Sequence, residues 1–94
     1  METITFANGE KHNCTFFAST PDTAYVAIDD VDFAAAAAVF SDPAKTARME
    51  YGSRVMVGFT TLVAVAVQPY GTQAVLRGGT ETTIESEGEN GRAD

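Results

Sequence analysis

Apolar residues recur at every second position along most of the chain, and this period predicts strands. Residues 2–7 alternate with Ile4 and Phe6 on one face, and Asn8-Gly9 supplies turn chemistry. Register decides the loop length. A two-residue Asn-Gly loop would set Phe6 opposite Lys11 and Ile4 opposite Asn13, burying nothing coherent. A three-residue loop with Gly9 in a left-handed bulge puts Ile4, Phe6, His12, Cys14 and Phe16 on one face, so the odd loop is expected. After the turn "STPD", the stretch "TAYVAID" alternates again. Ala24, Val26 and Ile28 point one way, Tyr25 and Ala27 the other. Further on, "TARMEY" and "RVMV" predict short strands around a bend at Gly52. "GFTTLVAVAVQ" is apolar on both faces, which predicts a central strand covered on both sides. "QPYGTQ" then turns the chain, and "AVLR" returns to close a final hairpin.

The period changes once. In "DDVDFAAAAAVFSDPAK", Phe33, Ala36 or Ala37, and Phe40 recur at helical spacing, and alanine is the best helix former. Asp30 or Asp32 can cap the start, and the residue before Pro43 is pushed out of helical geometry at the end. Such a helix is too short to stand alone and must be held by packing. Its alanine row is expected to lie against the small residues Ala64 and Ala66, with Phe33 and Phe40 filling the gaps on either side. After Pro43 a turn into the next strand is expected rather than a further helical turn. The predicted fold is α+β: a mostly antiparallel sheet of about five to six strands, ordered β-β-β-α-β-β-β, on one short Ala-rich helix.

Composition and charge add a boundary. The net charge is −7, with five acids against Arg92 in residues 78–94 and eight acids against five bases before them. Residues 1–77 therefore read as one small domain and 78–94 as an acidic tail, disordered because Ile84 is its one large apolar residue. A weakly acidic body with scattered bases offers no stripe for phosphates, so no nucleic-acid partner is expected. The longest apolar run, "LVAVAV", is far too short to span a bilayer, and no secretory signal pattern opens the chain. Synthesis in the cytoplasm, without a membrane partner, is the expectation. The single cysteine, Cys14, allows neither an internal disulfide nor a cysteine-based zinc site.

Candidate chemistry is sparse. His12 and Cys14 share a strand face, as a Cys-His nucleophile pair would. Side chains two apart on a strand sit too far for a good hydrogen bond, no third orienting group is evident, and their face is the expected core. Asp29, Asp30 and Asp32 lack the spacing, glycine and distal glutamate of a calcium loop, and helix capping explains them. The glycines of "LRGGT" and "PYGTQ" precede no helix, so they form no phosphate loop. Neither catalysis nor a cofactor is expected. Phe17, Tyr25, Tyr51 and Tyr70 fall off the main core face, which makes them the candidate protein-interaction surface.

The opening "ITFANG", the "VFSDPAKTARMEY" segment and the "GFTTLVAVAVQPYG" strand and turn resemble small uncharacterised proteins encoded in tail modules of siphovirus-like phages and prophages of Gram-positive bacteria. The resemblance spans most of residues 3–77. It carries no activity or catalytic residues. What it implies is a setting: a virion-associated or accessory protein that assembles with itself or with other tail proteins. A module that binds or inhibits a host protein is the alternative, and a small enzyme using His12 and Cys14 the remaining one.

Overall fold

The computed structural model describes residues 3–83. In chain order the elements are β1 (Thr3–Phe6), β2 (Lys11–Thr20), β3 (Thr23–Ile28), α1 (Phe33–Phe40), α2 (Pro43–Thr46), β4 (Arg48–Tyr51), β5 (Arg54–Val57), β6 (Thr61–Gln68), β7 (Gly71–Arg77) and β8 (Thr80–Thr83). All strand pairs are antiparallel, in the order β6-β7-β3-β2-β1-β4-β5-β8. The antiparallel sheet is as expected, but it has eight strands rather than five or six.

The β1–β2 hairpin has the odd loop. Ile4 pairs with His12 and Thr5 with Lys11, leaving Ala7-Asn8-Gly9 as the turn. Gly9 sits at φ +90°, where a side chain is disfavoured, and its N–H donates to the Phe6 carbonyl at 2.9 Å. Ile4, Phe6, His12 and Cys14 are buried as this register requires. Phe16 is not. Cys14 pairs with Ile28 but Phe16 with Ala27, so one extra residue is accommodated between them. This bulge inverts the alternation: Phe17 turns into the core and Phe16 out to solvent.

The two ends of the sheet belong to one kinked hairpin. Only residues 58–60 separate β5 from β6, only Gly78 and Gly79 separate β7 from β8, and the pairs β5–β8 and β6–β7 run in continuous succession. Because β7 also pairs with β3 and β5 with β4, the strands close into a ring. At the kink the backbones touch. A Cβ on Gly79 would lie 2.2 Å from the Val57 carbonyl oxygen, so only glycine fits. Residues 80–83 are therefore strand, not the start of a disordered tail as expected from residue 78 onward. The remainder of that acidic segment, 84–94, lies outside the described residues.

Helix α1 starts where Asp32 caps it, its carboxylate accepting the Ala35 N–H at 2.8 Å. Asp42 caps α2 in turn, with Pro43 in its first turn, so the helical continuation past Pro43 forms after all. The buried side of α1 is Ala36, Val39 and Phe40, with the Phe40 ring edge-on to Phe6 at 5.9 Å. Ala34, Ala35, Ala38 and Phe33 are exposed. The expected meeting of alanine surfaces does not occur. α1 packs on the side of the β6–β7 ribbon that carries Leu62 and Val65, while Ala64 and Ala66 are exposed. Strand β6 is not central either. Among the described residues it pairs only with β7 and stands at the end of the strand order.

Candidate functional site

The four aromatic residues singled out as a surface fall into three different places. Phe17 is only 7% exposed and stacks on the half-buried Tyr51, ring centroids 4.9 Å apart, with the Arg54 guanidinium 4.9 Å from the Phe17 centroid. This pair is part of the barrel wall, which removes Phe17 from the surface; the unread bulge at Thr15 is the reason. Tyr25 is half-buried on the outer face, where it lines a shallow groove of about 130 Å³ with Ala64, Ala66 and Val75. Tyr70 is exposed in the β6–β7 turn. Its ring lies 5.9 Å from that of Phe16, and its hydroxyl donates to the Gln73 side-chain oxygen.

Around Tyr70 the structure assembles a site from residues distant in sequence. Phe16 comes from the bulged β2, Val67 and Tyr70 from the end of the β6–β7 hairpin, and Phe33 from the first turn of α1. Val67, Tyr70 and Phe33 line an open groove of about 420 Å³, which Asp29 and Asp32 line as well. Val67 is 69% exposed, Val63 54% and Phe33 46%. From Val55 to Leu76 the sequence contains no charged residue at all. Exposed aliphatic and aromatic side chains gathered in this way have one strong chemical capacity, which is to bury area against another molecule.

The loop that carries Phe33 is tied down by a polar cluster. The Asp30 carboxylate holds His12 Nδ1 at 2.9 Å and accepts the Asn13 N–H at 3.1 Å, so the β3–α1 connection is fixed to β2. His12 Nε2 faces Glu10 at 2.7 Å, and Lys45 reaches the same carboxylate at 3.0 Å. The hydrogen bond from His12, then those from Lys45 and Asn8, hold the Glu10 carboxyl down to about 2. Both His12 ring nitrogens are therefore turned to carboxylates, and the Cys14 thiol donates to the Phe16 carbonyl at 3.3 Å. At the opposite end, Arg54 forms a two-nitrogen fork on Glu81 at 2.6 and 3.0 Å and donates to the Phe17 carbonyl at 2.9 Å. Ser19 adds a hydrogen bond to Glu81. Arg54 and Ser19 lower the Glu81 carboxyl below its ordinary range, and Glu81 raises the Arg54 guanidinium.

Among the described residues, no group of three or more His, Cys, Asp or Glu side chains is placed to hold a metal ion. No described helix is long and apolar enough to cross a membrane. Sequence reasoning found Tyr70 but missed Phe16, Phe33, Val63 and Val67. The charge-free run from Val55 to Leu76 was the available signal for the two valines, whereas nothing local marks the bulge that exposes Phe16. No family model, curated protein or solved structure matches the chain. The site thus stands on its own geometry: an apolar end on a small antiparallel barrel.

Proposed function

We propose that this protein is a non-enzymatic structural or protein-interaction module, a phage or prophage tail-associated accessory protein that docks through the end of its β6–β7 hairpin. One observation carries the docking reading: Phe16, Phe33, Val67 and Tyr70 are all exposed, and three of them line one groove together with Asp29 and Asp32. The phage setting is supported by the resemblance of the "ITFANG", "VFSDPAKTARMEY" and "GFTTLVAVAVQPYG" segments. In that setting the protein is made in the host cytoplasm and then joins the particle, or meets its protein partners there. Aromatic and aliphatic residues that sit at the centre of an interface supply most of its binding free energy, so a single charge placed among them should abolish docking.

The experiment compares tagged wild-type protein with the Val67→Asp and Tyr70→Asp variants, each added to lysates of a particle-producing lysogen. The wild type should retain a phage tail protein that both variants lose, at unchanged circular dichroism. Equal retention by all three, or retention of nothing by the wild type, would sink the docking reading.

A further inference from the structure

We infer that the free edge of β6 pairs with β6 of a second copy, antiparallel about a two-fold axis through Val65, to give a closed homodimer. The inference rests on the interaction reading above and assigns the partner of its β6 edge. Strand β6 has eight residues, six of them apolar, and among the described residues it pairs on one side only, with β7. Its hairpin register shows which backbone groups are free. The two-residue turn Pro69-Tyr70 closes on the pair Gln68–Gly71. Hydrogen-bonded and non-bonded pairs alternate along an antiparallel ribbon, so Ala66 and Ala64 bond to β7 while Val65 and Val67 direct N–H and C=O away from it. Unpaired groups on a long apolar edge are a template for another strand.

Three observations select a second copy as that strand. The segment reads the same in both directions about Val65, as Val63-Ala64-Val65-Ala66-Val67. Antiparallel pairing centred there sets Val63 opposite Val67, Ala64 opposite Ala66 and Val65 opposite itself, and brings the exposed Val63 and Val67 of the two copies together. The bulge on β6 leaves Val63 without a register partner on β7, so its side chain is available to the other copy. Charge selects in the same sense. Two chains of net charge −7 repel, and the stretch between Arg54 and Arg77 is the long part of the sequence that brings no acid to the contact. A two-fold pairing uses up the β6 edges of both copies at once, whereas a head-to-tail contact would propagate.

The test is sedimentation of the full chain over a wide concentration range, with a cross-linking arm. The wild type should be a dimer, and Val65→Lys, which puts two ammonium groups face to face, should weaken dimerisation by about tenfold or more. A thermal unfolding transition separates this loss from misfolding of the variant. If the variant does not fold, the cross-linking arm decides alone. Mixed Ala64→Cys and Ala66→Cys chains should form the mixed disulfide between copies in preference to either symmetric one, since only the register centred on Val65 brings these two positions opposite each other. A monomer at every concentration, an open-ended assembly, or symmetric disulfides in equal yield would overturn the inference. A monomer that still retains tail proteins through Val67 and Tyr70 would overturn only the dimer; a monomer that retains nothing would take the docking reading with it.

Discussion

Strands β5 and β6 are two stretches of one kinked ribbon, both rich in valine, and they have opposite fates. In β5, which pairs with β4 and β8 on both sides, Val55 and Met56 are buried and Val57 is exposed. In β6, Val63 and Val67 are among the most exposed apolar residues, because β7 covers one side and nothing among the described residues pairs with the other. The polar clamps follow the same division. Arg54–Glu81–Ser19 and Glu10–His12–Asp30 tie strands and loops around the barrel, while no charge lies along the β6–β7 hairpin until Arg77. Hydrophobicity alone therefore does not place a strand in the core. Packing on its faces does, and the unpaired edge of β6 is where this molecule has backbone groups to offer.

The comparison can be broken by substitutions matched across the two regions. The largest effect should come from the closed part: Phe40→Ala should destabilise by about 3–5 kcal/mol in urea unfolding, since it empties a site against Phe6. Val67→Ala, at the open end, should stay within about 0.5 kcal/mol at concentrations where the protein is monomeric. Equal effects would mean that the hairpin end is as well packed as the barrel.

A smaller effect is expected within α1. Ala36→Leu should destabilise by about 1–3 kcal/mol through overpacking, whereas Ala35→Leu should be close to neutral because that position faces solvent. Next, Arg54→Met should lower stability by about 1–2 kcal/mol, reduced from the full strength of a buried charged hydrogen bond because the guanidinium is partly exposed. Its loss should also speed amide exchange in β8, which a merely local change would leave alone.

The last prediction concerns acid. The Glu10 carboxyl is held at about 2 against an ordinary value of 4.5, and the Glu81 carboxyl is lowered as well. A depressed folded-state value stabilises the fold above pH 4.5 and stops doing so as pH falls through 4.5 towards 2. Acid unfolding should therefore set in across that window, and Glu10→Gln should flatten the pH dependence there. An unchanged profile in the variant would show that other carboxylates govern acid stability. Docking by the uncharged hairpin should change little over the pH range in which the barrel stays folded.

Local chemistry was legible in advance. The three-residue loop at Gly9, a cap from Asp30 or Asp32 and the stop before Pro43 each depend on residues within a few positions of one another. Three features were not legible, and each depends on a distant partner. The bulge at Thr15 exchanges the roles of Phe16 and Phe17 with no mark in composition, because one inserted residue satisfies the alternation on either side of it. The acidic "TETT" reads as tail until Arg54 and Ser19 supply partners for Glu81. The apolar "TLVAVAV" reads as a central strand, since period and hydrophobicity are the same for a strand paired twice and for one paired once.

Residue order alone gave a mostly antiparallel sheet with one alanine-rich helix, and located the Gly9 turn and the end of that helix before Pro43. Turn geometry, capping and alternation act over a few residues and leave their trace there. The tertiary structure alone decided which apolar strand is enclosed and which stands at the edge. The strand order places β5 between β4 and β8 and, among the described residues, leaves β6 paired with β7 alone. An edge is a property of the whole strand order, and no single segment encodes it.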